Sequence, residues 1–518
     1  MIIPFFNTIL VIIVFLTTIF LAALKSLKRS KKSPPPSSGP LPPGPWKLPI
    51  IGNLHQMVGP QQPHRRLMDL AKKHGPIMHL QLGETSNVIV SSPELASEFR
   101  KTHDLNFASR PMFPIAGILS YGGRNVSFAP YGEYWRHVRK VCTLGLLNAK
   151  RVAFFRPVMQ DEMAKLVTSI QMQQQVAVVV LNISRMLMSV GITIISRAAF
   201  GKLQKQEEAF LPVLHDITEA FGGFDVGSVF PSSKFLRRLI GAERRAHKIH
   251  QEADAILQAI VDEHVAKIGA QQDHDVVEAA EDLVDVLLKY RENPELGFPF
   301  TNVEIKAVIM DMILGGGEIT ATTVSWAMSE LMRHPHILEK ANKEVRQVFD
   351  GKGIVDEAGF AELNYLKSIL RETLRLHPPA PLLVPLECQE RVVIAGYGIP
   401  EKTRVYINVL AIGQDSRHWA EPQEFCPERF LDRPEASDYK GTCFEFIPFG
   451  AGRRMCPGIL FGMTFAEIML ANLLYHFDWE LPNGIKPQDL DMSERFGITV
   501  TRKNDLHLIP IRCHPKTV

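Results

Sequence analysis

One ten-residue stretch, Phe449–Gly458, constrains this 518-residue chain more than any other part of it. It places glycines, two arginines and a lone cysteine, Cys456, directly before an apolar run from Ile459 to Phe477 whose pattern predicts a helix. A helix N-terminus and neighbouring cations lower the pKa of a thiol, and the thiolate is the form that binds metals. The stretch therefore predicts a thiolate beside the start of a helix.

The complete pattern of this stretch is more informative than its cysteine. Taken alone, Cys456 is more typical of a buried structural cysteine than of a metal ligand. The pattern Phe-x-x-Gly-x-Arg-x-Cys-x-Gly, however, resembles the haem-ligand loop of the cytochrome P450 family, in which a Cys thiolate ligates haem iron. The glycines permit close approach of backbone N–H groups to a sulfur or a flat ligand. The resemblance implies that Cys456 is the metal ligand and that its neighbours bind the cofactor, namely Phe449, Gly450, Gly452, Arg454 and Gly458.

The cysteine pattern excludes other uses of thiols. Six cysteines are scattered through the chain without a Cys-x-x-Cys pair, which argues against a disulfide scaffold or a zinc site. The chain is 46% hydrophobic and contains neither an internal repeat nor a long Gly/Ser linker. It is therefore predicted to form one large catalytic domain in a reducing environment.

The net charge excludes a nucleic-acid-binding body. The formal charge is +3, but residues 1–32 hold five basic residues and no acidic one. The remaining chain has 53 basic and 55 acidic residues, a net charge of −2. We therefore expect no nucleic-acid partner.

The N-terminus is predicted to be a membrane anchor. Residues 2–24 carry no charge and reach the ~20 residues that a spanning helix needs, and the basic cluster follows directly. By the positive-inside rule this order places the body in the cytosol and a short N-terminus in the lumen. A cleaved signal peptide is the competing interpretation, but its apolar region is shorter and its basic residues precede that region. Residues 1–24 are thus predicted to be a single transmembrane helix that contacts membrane lipid.

A proline-rich hinge is predicted to join the anchor to the body. Residues 25–48 combine the basic cluster with a run of prolines that favours an extended, semi-rigid spacer over a helix. The same Pro-Pro-Gly-Pro hinge follows the anchor in microsomal members of the family that this chain resembles. Residues 49–518 are then the haem-thiolate catalytic domain.

Trp135 and Arg139 are candidate cofactor clamps. They lie four residues apart and share one face of a predicted helix. An aromatic and a cation on one face ordinarily form half-buried surface. The resemblance implies instead that both contact a haem propionate.

A long helix is predicted before Pro335. Thr301 and Glu304 have the spacing of a capping box, and no proline follows until Pro335. The predicted helix, Asn302–Arg333, would be about 48 Å long. Three consecutive glycines at 315–317 interrupt it, at about 1 kcal/mol each relative to alanine. They indicate local widening or close backbone approach, with tight packing against another helix as the alternative; the resemblance implies an opening over the haem that admits oxygen.

The residues after these glycines are the candidate catalytic group: Glu318, Ile319 and Thr320. In the family an acid is followed by a threonine that helps to deliver protons to bound oxygen, and here Ile319 occupies the position of that threonine. Thr320 does not simply replace it, because the next side chain points about 100° further round the helix. Three outcomes are open. A water or a substrate hydroxyl delivers the proton in place of the threonine, or oxygen activation is less well coupled, or the reaction is unusual, such as an oxidative rearrangement.

Three charged residues are assigned to the structural framework. Glu372 and Arg375 lie three apart on a predicted helix, a spacing that usually gives a surface ion pair. Their order with a later Pro-Glu-Arg-Phe motif resembles the family arrangement, which implies that Arg429 completes a buried cluster.

Plant relatives commonly have arginine where Leu386 stands, so haem anchoring is expected to depend more on Trp135, Arg139 and Arg454.

The substrate pocket is predicted from largely apolar segments. The predicted pocket residues are Phe113, Ile115, Leu314, Gly315, Leu382, Leu383, Phe496 and Ile498.

The resemblance covers essentially the whole chain and points to the plant A-type microsomal enzymes. It implies a mainly α fold with a small β portion, haem b (iron protoporphyrin IX), and a place in the endoplasmic reticulum membrane. The chain lacks a Gly-x-Gly-x-x-Gly fingerprint for a nicotinamide or flavin of its own. Electrons are therefore expected from NADPH through a partner reductase that docks on the cysteine side, with cytochrome b5 as a second candidate donor.

Three functions are open at this stage. The first is a monooxygenase that hydroxylates a hydrophobic plant specialised metabolite, with a terpenoid preferred over an alkaloid or phenylpropanoid. The second, prompted by Ile319, is oxidative rearrangement, coupling or dehydration at a haem-thiolate centre. The third is a membrane-anchored haem sensor or carrier without turnover.

Overall fold

The structure is a computed structural model that describes residues 39–175, 178–201, 204–221, 226–271, 281–292, 300–432 and 439–513. The predicted anchor, residues 1–24, and residues 25–38 of the predicted hinge lie outside these ranges. The described part of the hinge, 39–48, contacts the body: Pro43 accepts a hydrogen bond from the N–H of His79, and Pro40 accepts one from Gly398.

Most described residues are helical, in agreement with the predicted fold class. The α-helices are Leu54–Met57, Pro63–His74, Pro93–Ser97, Pro114–Leu119, Glu133–Lys140, Ala149–Gln174, Ile183–Phe200, Gln204–Phe221, Val226–Val229, Lys234–Ile240, Ala242–Gln271, Leu283–Glu292, Asn302–Arg333, Pro335–Phe349, Asn364–Leu376, Val409–Gly413 and Ile459–His476. Single π-helical turns follow two of them, at Glu98–Thr102 and Val141–Leu146.

The β portion consists of short strands in four small sheets among the described residues. The largest consists, in spatial order, of β1 (Ile77–Leu82), β2 (Thr85–Val90), β7 (Arg404–Ile407) and β4 (Leu386–Glu387). Strands β1 and β2 form an antiparallel hairpin, and β2 and β7 are parallel, with Asn87 opposite Arg404. The strands are β1 Ile77–Leu82, β2 Thr85–Val90, β3 Leu181–Asn182, β4 Leu386–Glu387, β5 Val392–Ile394, β6 Tyr397–Ile399, β7 Arg404–Ile407, β8 Phe477–Glu480, β9 Glu494–Arg495, β10 Thr501–Arg502 and β11 His507–Arg512.

The long helix, Asn302–Arg333, has the predicted bounds and the predicted capping box. The Thr301 hydroxyl accepts from Val303 N at 3.2 Å, and the Glu304 carboxylate accepts from Thr301 N at 2.9 Å. The helix ends at Arg333 because the residue before Pro335 is driven out of the helical region. It packs against Ile183–Phe200 on one side and Ile459–His476 on another.

Three described helices are long and apolar enough to cross a membrane by length and composition: Ile183–Phe200, Asn302–Arg333 and Ile459–His476. More than half of the apolar window of each is buried inside the protein. Their apolarity is therefore accounted for by the core in which they pack together.

Candidate active site

The cysteine loop, Phe449–Gly458, is closed by a hydrogen bond from Cys456 N to Phe449 O at 3.0 Å. Gly450 and Gly452 have φ values of +73° and +66°, in the left-handed region that residues with a Cβ avoid. These two glycines let the chain turn back on itself, so that Cys456 stands just before the helix Ile459–His476.

Gly452 also permits a close approach that any side chain would block. A Cβ at this position would lie 2.5 Å from Asp104 Oδ1 and 2.6 Å from the Arg100 carbonyl oxygen. Asp104 in turn pairs with Arg100 at 2.8 Å and with Arg453 at 2.9 Å. The loop is thereby fixed to the segment around Arg100.

The thiol of Cys456 faces a cavity of about 300 Å³ that lies between the cysteine loop and the long helix. Seven of the eight predicted cofactor residues line this cavity, and Gly452 packs beside Asp104 instead. The seven are Trp135, Arg139, Phe449, Gly450, Arg454, Cys456 and Gly458.

The protein itself does not lower the pKa of Cys456. Burial raises the pKa of its thiol, and the opposing effects of a backbone hydrogen bond at Gly458 and of the Arg139 charge are smaller. This direction is opposite to the one expected from the local sequence. A metal ion bound to this sulfur would outweigh the effect of burial, because a coordinating thiol is deprotonated outright.

The cavity lining is strongly cationic at one end. It contains four arginines, Arg100, Arg110, Arg139 and Arg454, and one carboxylate, Asp311. Burial and the charges of Arg100 and Arg139 lower the pKa of Arg454 to about 9. Arg100 already pairs with Asp104. Buried charges of one sign need counter-charges, so the other three arginines fit a ligand that carries more than one anionic group.

Arg110 was not found by sequence reasoning. Its guanidinium donates to the carbonyls of Val384 and of Pro385, the latter at 3.1 Å, while its Nε is buried and has no hydrogen-bond partner among the described residues. Burial and the neighbouring arginines hold its pKa well below the usual range. Leu386, where plant relatives commonly have arginine, is the next residue and lines the same cavity. Arg110 therefore places a positive charge close to the position at which plant relatives commonly have arginine and this chain has the apolar Leu386.

Trp135 and Arg454 meet at one carbonyl. Trp135 Nε1 donates to Val126 O at 3.0 Å, and Arg454 Nη1 donates to the same oxygen at 3.1 Å. The Arg454 guanidinium lies 4.3 Å from the centroid of the indole ring. Trp135 and Arg454, both of which were predicted to bind the cofactor, are therefore positioned by one peptide group.

The three central glycines of the long helix have different surroundings, and the helix continues through all of them. A Cβ on Gly315 would meet nothing within 4 Å, whereas one on Gly317 would lie 3.0 Å from the Gly191 carbonyl oxygen. Gly315 and Gly316 line the cavity. Both expected uses of glycine are therefore present: open space at Gly315 and tight helix packing at Gly317.

Alanine substitutions are expected to separate these two uses. Gly315→Ala should raise the free energy of unfolding by about 1 kcal/mol through helix propensity. Gly317→Ala should lower it by about 1–3 kcal/mol, because its methyl group overpacks against Gly191. Denaturant unfolding of the purified haem-loaded proteins measures both; equal effects of the two substitutions would contradict this assignment.

The candidate catalytic residues point in different directions. Ile319 and Thr320 both line the cavity, but the Glu318 carboxylate accepts from the Thr218 hydroxyl at 2.8 Å and lies outside the lining. The Thr320 hydroxyl donates to Gly316 O at 2.9 Å, and Thr323 donates to Ile319 O at the same distance. The hydroxyl protons of both threonines are thus bonded to backbone carbonyls one turn earlier.

Asp311 is the lining carboxylate, and sequence reasoning also missed it. Its oxygens accept from Asn125 Nδ2 at 2.6 Å and from Ser127 N at 2.9 Å. Burial raises the pKa of Asp311 to about 6 in spite of these hydrogen bonds. It precedes Gly315 and Ile319 by four and eight residues, the spacing of one helix face.

Glu372, Arg375 and Arg429 are brought together as one buried cluster. Arg375 donates twice to the Glu372 carboxylate, at 2.6 and 2.7 Å, and Arg429 Nε donates to it at 3.0 Å. The side chains of Glu372 and Arg375 are fully buried. Arg375 also donates to the carbonyls of Gly413 and Pro422, so the cluster fixes the helix Asn364–Leu376 to the chain that leads to the cysteine loop.

Only two of the eight predicted pocket residues, Gly315 and Leu383, line the cavity. The other six lie outside its lining for a shared reason: their apolar side chains are used in packing or lie at the surface. Ile115 and Leu382 are in hydrophobic clusters, and Leu314 packs against one of them. Phe113 contacts Phe128, Phe496 stacks on His64, and Ile498 is exposed.

Comparison with known proteins decides the family. The family model described as Cytochrome P450 matches residues 42–509. The chain belongs to the cytochrome P450 family.

Plant members of the family are similar to this cytochrome P450 over most of its length. Desmethyl-deoxy-podophyllotoxin synthase of Sinopodophyllum hexandrum is 50% identical, covering 93% of this chain and 94% of its own. Premnaspirodiene oxygenase of Hyoscyamus muticus is 45% identical, covering 97% and 98%. Among solved structures, a zebrafish cytochrome P450 with progesterone has a TM-score of 0.73 and 22% identity, over 87% of this chain and 100% of that chain. This last likeness shows the fold alone.

Membership of the family establishes the enzyme class. This cytochrome P450 is a monooxygenase that uses haem, with electrons from NADPH delivered by a reductase, and that acts on a hydrophobic substrate. The residues present fit haem: a cysteine facing the cavity can ligate the iron, and the Nε of Arg110, which has no hydrogen-bond partner among the described residues, lies among arginines suited to two propionates. The sensor or carrier without turnover is therefore set aside.

Proposed function

We propose that this cytochrome P450 hydroxylates a hydrophobic plant specialised metabolite, and that the substrate is a terpenoid. One observation carries the proposal: apart from the arginines and Asp311, the cavity beside Cys456 is lined mainly by apolar groups, among them Met312, Ile319 and Leu383. Such a lining selects an apolar molecule with few polar groups. Relatives that act on terpenoids, including premnaspirodiene oxygenase and salviol synthase, favour this class.

The proposed cofactor site assigns a role to each side of the cavity. Cys456 ligates the iron, and Arg454, Arg139 and Trp135 hold the propionates, with Arg100 and Arg110 as further cations. Phe449, Gly450 and Gly458 form the wall on the cysteine side. Bound haem supplies the one-electron and oxygen chemistry that amino-acid side chains lack.

On the opposite side, residues of the long helix shape the space in which substrate is oxidised. Gly315 leaves room beside the cavity, and the Ile319 side chain contributes an apolar surface that excludes water. Ile319 has no exchangeable proton, and Thr320 already donates its proton to Gly316 O. We propose that a water or a substrate hydroxyl moves the proton at this position.

The cellular setting is part of the same proposal. Residues 1–24 anchor the enzyme by a single pass in the endoplasmic reticulum membrane, residues 25–48 form the hinge, and residues 49–518 are the cytosolic catalytic domain. Membrane anchoring is typical of plant members of the family. An NADPH-cytochrome P450 reductase docks on the cysteine side, and cytochrome b5 is a second candidate donor.

Substrate screening tests the proposed class. Microsomes that contain the protein and a plant reductase are supplied with NADPH and a panel of terpenoids, alkaloids and phenylpropanoids of matched size. We expect hydroxylated product from one or more terpenoids, and higher kcat/KM for them than for the other classes. Turnover confined to alkaloids or phenylpropanoids would contradict the terpenoid assignment.

Ile319 favours a second candidate function, an oxidative rearrangement, coupling or dehydration. Its aliphatic side chain lines the cavity where the family has a proton-relaying threonine. A reaction that needs no such relay tolerates isoleucine there. The products of the same screen distinguish the two functions, because coupled or dehydrated products gain no oxygen atom and rearranged products have a changed carbon skeleton.

Ile319→Thr is expected to raise the product formed per NADPH oxidised severalfold, if the native reaction is hydroxylation. The added hydroxyl restores a positioned proton donor, a type of group that contributes about 10²–10⁴-fold in favourable cases. Parallel assays of NADPH consumption and product measure the coupling.

Ile319→Val is the matched control, because valine has the shape of threonine without its hydroxyl. Equal coupling in the two variants would show that proton delivery is not limiting. Loss of the native product in Ile319→Thr alone would indicate the second candidate function.

A further inference from the structure

Residues 125–129, the bridging segment, are held from two sides by polar contacts. On one side Asp311 of the long helix accepts from Asn125 Nδ2 at 2.6 Å and from Ser127 N at 2.9 Å. On the other side Arg454 of the cysteine loop donates to Val126 O at 3.1 Å. The segment therefore links the helix on one side of the cavity to the loop that carries Cys456.

Four of the five residues of the bridging segment are buried, and the segment is itself ordered by Asn125. Asn125 is 4% exposed and its Oδ1 accepts from Phe128 N at 3.0 Å, which closes a turn inside the segment. Trp135 Nε1 donates to Val126 O at 3.0 Å, and Arg454 also donates to Ala129 O. Polar groups buried in this way depend on one another, because losing one partner leaves another unsatisfied.

The segment also forms part of the wall of the cavity, through Val126 and Ser127. The position of the segment therefore affects both the placement of Arg454 beside the cofactor site and the space available to substrate. In the described part of the chain, the hydrogen bonds that join the segment to the middle of the long helix are those that the Asp311 carboxylate accepts.

We propose that Asp311 is a positioning residue of this monooxygenase, which fixes the bridging segment 125–129 against the long helix and thereby the cavity wall and the carbonyl that holds Arg454. The role goes beyond the proposed substrate, since it is the same for any molecule oxidised in the cavity. It requires the hydrogen bonds of the pair Asp311 and Asn125 and does not require the negative charge to be at position 311.

Exchange of the pair tests this directly. In Asp311→Asn the two amide groups face each other and one hydrogen bond of the bridging segment is lost. In Asn125→Asp two carboxylates face each other at the present 2.6 Å contact. The double variant, Asp311→Asn with Asn125→Asp, restores complementarity. Its amide at position 311 donates to the carboxylate at position 125, and the oxygen of that amide still accepts from Ser127 N.

The readouts use haem-loaded protein in microsomes. Spectral titration with imidazole, a small iron ligand, and with ketoconazole, a bulky one, gives two dissociation constants, and the reduced carbon-monoxide difference spectrum reports the thiolate-bound haem. We expect each single variant to weaken ketoconazole binding by about 10- to 100-fold, the effect of losing a hydrogen bond to a charged group. Imidazole binding should change far less, and the double variant should return towards the native constants.

Asp262→Asn is the matched control, because Asp262 is an exposed aspartate on the helix Ala242–Gln271. It should leave both constants unchanged. Failure of the double variant to recover while both single variants are impaired would overturn the proposal, since it would show that the carboxylate itself is needed at position 311. Native ketoconazole binding in Asp311→Asn would overturn it as well. If a single variant fails to load haem, recovery of the carbon-monoxide spectrum in the double variant supports the proposal and its absence overturns it.

Discussion

Cys456→Ser is expected to abolish product formation and the reduced carbon-monoxide difference spectrum of a thiolate haem. A serine hydroxyl has far too high a pKa to act as an anionic ligand at neutral pH, so the electron density that a thiolate donates to iron is lost. Among the substitutions considered, this one should have the largest effect on activity, because it removes the only protein ligand assigned to the metal. Difference spectroscopy and product analysis in microsomes with reductase measure it.

Cys443→Ser provides a matched control for this substitution. Cys443 is a half-buried cysteine near the same loop, and its Sγ lies 3.3 Å from a Glu445 oxygen. It should keep the native spectrum and activity. A thiolate spectrum that survives in Cys456→Ser, or that disappears in Cys443→Ser, would place the iron ligand elsewhere.

Arg375→Leu is expected to lower the free energy of unfolding by about 3–5 kcal/mol and to reduce haem retention in parallel. The substitution strands the Glu372 carboxylate, which is fully buried and, within the described part of the chain, would keep Arg429 and the Cys426 N–H as its partners. It also removes the donors to Gly413 and Pro422 that hold the chain before the cysteine loop. Denaturant unfolding and the haem content of the purified protein measure the two effects.

Arg417→Leu is the surface counterpart of this substitution. Arg417 pairs with Asp415 at 2.5 Å, but 59% of its side chain is exposed, so the pair should be worth no more than about 1 kcal/mol. A loss of unfolding free energy of similar size in Arg375→Leu and Arg417→Leu would show that burial of the Glu372 cluster adds nothing to stability.

The bounds of the long helix could be predicted because they depend on local signals. The capping box at Thr301 and Glu304 marks its start, and Pro335 disfavours helical geometry in the residue that precedes it. The cysteine loop was likewise recognisable from residues close together in the chain. Features of this kind need no knowledge of which distant segments meet.

The residues that sequence reasoning missed depend on distant contacts. Arg110 and Asp311 are separated by about two hundred positions and carry no motif, yet both line one cavity. Conversely, the apolar character of Phe496 and Ile498 suited a pocket, but one stacks on His64 and the other lies at the surface. Composition alone does not tell a pocket wall from a packing contact, because both are apolar.

The pKa of Cys456 shows the same division between local and long-range effects. Its sequence neighbours predict a lowered value, since a helix N-terminus and two arginines are close in the chain. In the folded protein, burial outweighs these contributions and raises the pKa. Desolvation is a property of the assembled fold and is not visible in the local sequence.

Labelled oxygen tests whether this cytochrome P450 inserts an oxygen atom from O₂ into its substrate. The product formed in microsomes with reductase and NADPH under ¹⁸O₂ is analysed by mass spectrometry, with a parallel reaction in H₂¹⁸O. A hydroxylating monooxygenase at the Cys456 site should place one oxygen atom from O₂ in each product molecule and none from water, and Cys456→Ser should give no labelled product. Product that carries oxygen from water, or that gains no oxygen at all, would contradict hydroxylation at the Cys456 site.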